Sequence, residues 1–442
     1  MLGRETRLEA AGLGLVIERS QDWFFRDQHA DGFWWGELES NATMDAEYLL
    51  LTHFLGARDE QIWRGVAQDI RNYQRGDGSW ALYHGAPGDL STSIECYFAL
   101  KLAGDAGPHL ERAREFILSK GGISHARVFT RIWLSLFGEF SWDDLPSMPP
   151  ELMLLPPKAP FSIYQFSSWA RGTIVPLLIL LKTRPVRAVP ESARLTGLHT
   201  GAAPQPKPRV ATDHLFYGID AALHLYDKRP VKALREHAVK VAEEWILDRQ
   251  EADGSWGGIQ PPWVYSLMAL HSLGYGLDHP VIRKGLDGMH DRWLIRREDG
   301  SMRVQACLSP VWDTGLSLLA LLDSGVPPED PHVRSAASWL LKEEIRGPGD
   351  WQVQLPGVPP SGWAFEFEND TYPDVDDTAV VMLALQKAGA LDPEIRERSL
   401  RWVLAMQSKN GGWAAFDKDN TSKLPAMLPF ADFGEMIDPP SA

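Results

Sequence analysis

The chain has 442 residues, 44% of them hydrophobic, and carries 59 acidic against 44 basic side chains, a formal net charge of −15. That balance argues against nucleic acid, which needs a basic footprint, and against electrostatic docking on anionic lipid, so any membrane contact has to be apolar. Two isolated cysteines, Cys96 and Cys307, provide neither a disulfide framework nor a zinc spacing and fit a reducing compartment. The composition stands out in its 18 tryptophans, which suit a stapled core, a cavity lined by aromatic faces, or both.

Met1 to Ser20 lacks the basic start and apolar stretch of a signal peptide. The longest apolar runs, such as Ile174 to Leu181, fall well short of the roughly 20 residues a spanning helix needs, so no membrane crossing is expected. The pattern Gln-x-x-x-Gly-x-Trp recurs at Gln28/Gly32/Trp34, Gln74/Gly78/Trp80, Gln250/Gly254/Trp256 and Gln407/Gly411/Trp413. A degenerate fifth copy without the Gln is expected at Gly347 to Trp351. Asp-Gly-Ser and Asn-Gly within these copies are turn chemistry, and each Trp is expected to stack on the Gln amide as a strut between helices.

Residues 183 to 210 carry Pro185, Pro190, Pro204, Pro206 and Pro208 and read as a long surface loop. Leu215, Phe216, Ile219, Ala222, Leu223 and Tyr226 then form an apolar helical stripe, read first as core and second as a face for monotopic insertion. Leu234, Ala238, Val241 and Trp245 share another helix face, with Pro230 as the opening residue; Val333, Ala336, Ala337, Leu340 and Leu341 make a third. No segment shows sustained strand alternation. The fold class is therefore all-α, helical hairpins that close into an α/α barrel or extend as a solenoid.

The strongest chemical constellation is Tyr372-Pro373-Asp374-Val375-Asp376-Asp377-Thr378, followed by an apolar run. Pro373 delays the helix, so the acids fall at its cap and first turn. One Asp there is an ordinary N-cap. Three acids so close together at a low-dielectric helix start cannot all ionise, and a carboxyl kept neutral is what protonating an alkene requires. Magnesium is the rival use of such a cluster. Ser309 to Gly315, with Trp312, and Gly362 to Phe367, with Phe365, add aromatic faces that attract cations by roughly 0.5–2 kcal/mol each. No zinc-protease motif, phosphate loop or nucleophile elbow competes; a glycosidase carboxylate pair stays open.

These motifs, with Gly257 to Trp263 and Asp432 to Ser441, resemble the squalene–hopene cyclases collinearly from about residue 20. The resemblance implies two α/α barrels, residues 19–299 forming one and residues 1–18 with 300–442 the acid-bearing other. It implies Asp376 as proton donor, with Asp374 and Asp377 positioning it, and Trp169, Trp312, Phe365 and Phe416 steadying successive cations. Gln260, Pro261, Glu95, Arg131 and Asp45 match the polar end of the cavity. Phe416 stands where some members have Tyr, and Asp45 where a Glu is familiar. Squalene or a related polyprene is the implied substrate. A membrane surface, held monotopically on the cytoplasmic face, is the implied partner, and a homodimer stays open. Neither metal nor organic cofactor is implied. Members continue beyond the position of Ala442 with the His that orients the acid, so the acid-bearing barrel is expected to be open and inactive alone. Kept beside this reading are a diterpene-type cyclase, a prenyltransferase subunit that would need zinc, and a Trp-rich glycan- or lipid-binding module.

Overall fold

The computed structural model describes residues 2–201, 211–427 and 435–441. Within them α-helices dominate, and the named strands form two short antiparallel hairpins, Trp80–Ala81 with Gly88–Asp89 and Leu294–Arg296 with Met302–Val304. The second hairpin is closed by Asp299, whose carboxylate accepts the Ser301 N–H at 2.9 Å, and by Gly300 at φ +83°. Both hairpins are too short to show the alternation that marks a strand in sequence. The chain divides into two compact units: Leu38–Cys307 with Asn420–Asp438, and Met1–Glu37 with Leu308–Asp419 and Pro439–Ala442.

The repeat turns explain why both units are built alike. In all four copies the Gln amide donates to the Gly carbonyl of its own turn, at 2.7, 2.9, 3.2 and 2.7 Å. In three it also donates to the residue after the proline that opens another helix: Gln28 to His332, Gln74 to His109 and Gln250 to Val281. The Trp ties the turn through a hydrogen bond. Its ring N–H reaches back ten residues, Trp34 to Phe24, Trp80 to Ile70, Trp256 to Ile246 and Trp413 to Val403. Each turn is thus a hydrogen-bonded clamp that satisfies carbonyls a helix end would otherwise leave open. Gly254 shows why no side chain fits: its φ is +96°, and a Cβ would lie 2.2 Å from the Lys284 carbonyl oxygen.

The fifth copy is not at Trp351. That indole is buried, yet its N–H has no hydrogen-bond partner. The strut is Trp363, whose ring N–H donates to the Leu340 carbonyl at 2.6 Å across 23 residues. Glu344 takes the Gln position, accepting Ser361 Oγ at 2.8 Å and the Arg398 guanidinium at 2.6 and 2.5 Å. An insertion between Glu344 and Gly362 hides the repeat from a fixed-period search.

The Val333, Ala336, Ala337 and Leu340 stripe is buried as expected, in a core with Trp34, Leu318, Val381 and Leu385. Helix Lys232–Leu247 buries Ala238 and Trp245 and half-buries Val241 as expected, but in its first turn Leu234 is exposed and Arg235 is buried, because Glu151 and Asp227 bind its guanidinium at 2.8 Å each. The proline loop is tied down as far as residue 201, with Ala193, Leu195 and Leu198 buried and Leu195 N–H donating to Glu139. Pro204, Pro206 and Pro208 lie outside the described residues.

The core reading of the next helix is corrected. In Ala211–Lys228, Leu215, Ile219 and Leu225 are 61%, 41% and 68% exposed, and Phe216 alone of the large apolar stripe is buried. The polar edge faces the protein: Asp220 accepts Ser147 N–H, Asp227 accepts Ser147 Oγ, and Tyr226 donates to Glu151. Hydrogen bonding of that edge turns the apolar face outward.

Candidate active site

Pro373 keeps the chain extended, and the helix Val375–Lys387 begins immediately after Asp374. Asp374 is its N-cap: Oδ1 accepts the N–H groups of Asp376 at 2.7 Å and Asp377 at 3.2 Å. Its own N–H donates to Trp363 O at 2.7 Å, and the Thr378 hydroxyl bonds Asp374 O at 2.6 Å while accepting Trp363 N–H at 3.0 Å. The strut of the fifth repeat therefore fixes the start of the acid helix. The Ser309 to Gly315 motif repeats the device, since Thr314 Oγ1 accepts Trp34 N–H at 2.9 Å.

The three acids differ sharply in setting. Asp374 and Asp377 are buried and Asp376 is exposed. Burial, then the charges of Asp374, Asp376 and Asp313, push the Asp377 carboxyl up to about 9. Of the three, Asp377 is the carboxyl whose surroundings favour the neutral form. Its Oδ1 is buried with no hydrogen-bond partner. Because the folded value lies above the unfolded one near 3.8, the stability tied to this group is complete below that pH and is lost as pH rises toward 9. Asp377→Asn should therefore stabilise the protein, by a margin that grows between pH 5 and pH 8. Urea midpoints across that range check it, and a margin independent of pH would mean that Asp377 is already ionised.

Trp312 and Phe365 meet with ring centroids 6.4 Å apart, both half-buried. Asp313, next to Trp312, accepts Gly36 N–H at 2.8 Å and Ser309 Oγ at 2.9 Å. Phe416 follows Ala415, whose carbonyl accepts Val375 N–H at 2.9 Å, so its segment is pinned to the acid helix.

The remaining site residues lie in the Leu38–Cys307 unit. A cavity of about 410 Å³ is lined there by Glu47, Phe129, Trp169, Pro261 and Tyr265 among others, and Trp169 Nε1 donates to Glu435 O at 2.9 Å. Glu95 is buried, accepts the Thr130 hydroxyl, and is raised to about 7 by burial, partly offset by that bond and by Arg127. Glu47 is raised well above the carboxylate range by burial and by Glu95, with Trp133 and Gln260 beside it. Trp133 Nε1, Gln260 Oε1 and Tyr265 OH are buried without hydrogen-bond partners. Asp45 is elsewhere: it accepts Val304 N–H at 2.8 Å and sits with Asp69 and Arg303. Arg131 bonds Ala126 O at 2.6 Å and lies over Phe140. Glu47, Arg127, Trp133 and Tyr265 are thus residues that sequence reasoning missed. For Glu47 a signal existed: a carboxylate inside the apolar run Ala46 to Leu51.

A buried carboxyl with a raised proton affinity at a helix start, in the same unit as the paired rings of Trp312 and Phe365, fits the class of terpene cyclases that begin by protonation. Known families narrow this further. Residues 17–299 match the squalene-hopene cyclase N-terminal domain and residues 308–442 the squalene-hopene cyclase C-terminal domain, and the chain belongs to that family. It is 45% identical to the squalene–hopene cyclase of Alicyclobacillus acidocaldarius, over 99% of this chain and 70% of that protein. It is 38% identical to dammaradiene synthase of Dryopteris crassirhizoma, over 96% of this chain and 63% of that protein. It is also 38% identical to the squalene–hopene cyclase of Zymomonas mobilis, over 96% of this chain and 67% of that protein. Membership supports an all-α fold of the α/α-barrel class and the cyclisation of squalene, a polyprene; the diterpene, glycan-binding and glycosidase-like readings are not favoured.

Proposed function

We propose that this chain cyclises squalene to hopene or hopanol by protonating a terminal alkene from its acid motif. The observation that carries the reading is the buried, neutral Asp377 next to the exposed Asp376 on one helix start. Asp376, reprotonated from water at its exposed position, gives its proton to the alkene π pair, which forms a C–H bond and leaves a tertiary cation. Asp374 fixes the backbone of both neighbours through the cap, and Asp377 holds a proton beside the donor. Each further alkene attacks the cation before it, and Trp312, Phe365, Phe416 and Trp169 steady the charge without bonding to it. Of the expected polar end, Asp45 faces Arg303 and drops out, while Pro261 lines the cavity and Gln260 and Glu95 lie beside Glu47, which joins them. There the last cation loses a proton or takes up water. The test is incubation of the chain with squalene and mass analysis of the products. Cyclised product would show that this chain acts alone, against the expectation of an open, inactive barrel, and its absence would sink that part of the reading.

We further propose that the two units are α/α barrels, the acid-bearing one built from Met1–Glu37 with Leu308–Asp419 and Pro439–Ala442 and so taking residues 19–37 out of the expected 19–299 barrel, and that the protein sits monotopically on the cytoplasmic face of a membrane. Among the described residues no helix is long and apolar enough to cross one. The outward face of Ala211–Lys228 supports a seat that lies on the surface instead. Replacing Leu215 and Leu225 together by Asp should leave the fold intact and abolish flotation with neutral lipid vesicles. Unchanged flotation would place the contact elsewhere.

A further inference from the structure

Ahead of the acid helix lies a buried carboxyl that the mechanism does not use. Glu366 is 7% exposed and Asn369 3%. The Asn369 amide donates through Nδ2 to Glu366 Oε2 at 3.2 Å. The other end of that amide, Oδ1, is buried and accepts from no group of the protein. As a carboxylate Glu366 has no hydrogen to offer it; as a carboxylic acid it has one. An amide and an acid each present one donor and one acceptor on neighbouring atoms, so the bond already formed brings the second pair side by side.

We infer that Glu366 and Asn369 are a positioning pair for the acid site, a cyclic acid–amide contact in which Glu366 carries a proton and donates it to Asn369 Oδ1. The surroundings favour the neutral form. Burial raises the Glu366 carboxyl well above its usual range, and the nearby carboxyls of Asp377 and Asp374 add to that. The pair does two things. It fixes the bent segment between Trp363, which bonds Asp374, and the acids themselves, and so sets where Phe365 stands. It also keeps one more negative charge away from Asp374 and Asp377, a charge that would raise the proton affinity of the donor and weaken it as an acid. The inference rests on the reading of Asp374 to Asp377 as the acid site.

Infrared spectroscopy of protonated carboxyls tests it without needing turnover. Glu366→Gln keeps the shape and both bonds to Asn369. At neutral pH it should lose one carboxylic-acid C=O band that Asp377→Asn retains, with no fall in melting temperature. Asn369→Leu should leave the Glu366 band present but shift it to higher frequency, because the acid loses its partner. Acid bands unchanged in Glu366→Gln would mean an ionised Glu366, and a band unmoved in Asn369→Leu would mean that the two side chains are not paired. Either result overturns the inference. Failure of the acid-site reading shows separately, as cyclisation that survives Asp376→Asn with these infrared results intact.

Discussion

Asp376→Asn should lower squalene cyclisation by about 10²–10⁴-fold, the range that a positioned general acid supplies, without lowering the melting temperature. Its side chain is exposed and caps nothing, so the amide changes the proton inventory and little else. Asp374→Asn is the informative contrast. Asn caps a helix about as well as Asp, so the first turn survives, and the rate should fall less than for Asp376→Asn. Asp377→Asn keeps a neutral group where the protein already holds one, and its main effect should be the pH-dependent stabilisation described above. Product formed per unit time by each purified variant, measured by mass analysis, ranks the three acids. Near-normal rates for Asp376→Asn beside a dead Asp377→Asn would move the donor to the buried residue.

Trp363→Ala should destabilise the protein by about 3–5 kcal/mol, the usual result of emptying a fully buried tryptophan site. Trp363 is 0% exposed and its ring N–H is spent on Leu340 O. The effect should reach the chemistry too, because Thr378 links Trp363 N–H to the Asp374 cap. A sharper test of the repeat assignment compares two Phe variants. Trp363→Phe strands a buried carbonyl and should cost about 1–3 kcal/mol beyond the lost area. Trp351→Phe removes an indole N–H that bonds nothing, so it forfeits no hydrogen bond and should cost less. Denaturant midpoints decide between them. Equal losses would mean that Trp351 shares the strut role.

Much of this was legible in the residues themselves. The Gln/Gly/Trp turns, the helices between them and the start of the acid helix after Pro373 depend on contacts a few residues apart: amide to carbonyl four residues on, ring N–H to carbonyl ten residues back, side-chain oxygen to the N–H groups two and three residues on. Such interactions belong to the local sequence and would form in much the same way in any stack of hairpins. The fifth repeat escaped because an insertion moved its Trp, although the Glu344 and Gly362-Trp363 signals were present.

The acid motif itself was readable as a cluster that could not ionise in full, but not which member stays neutral. Asp376 and Asp377 are neighbours, and rotation by about 100° per helical residue exposes one and buries the other. The same rotation puts Glu47 in the cavity and Asp45 against Arg303, about 200° apart on one helix. It also turns the apolar face of Ala211–Lys228 outward. Sequence determined which residues could do the chemistry. Only packing decided which did, because the roll of a helix about its axis is set by what it rests on, and the partners that set it lie far away in the chain.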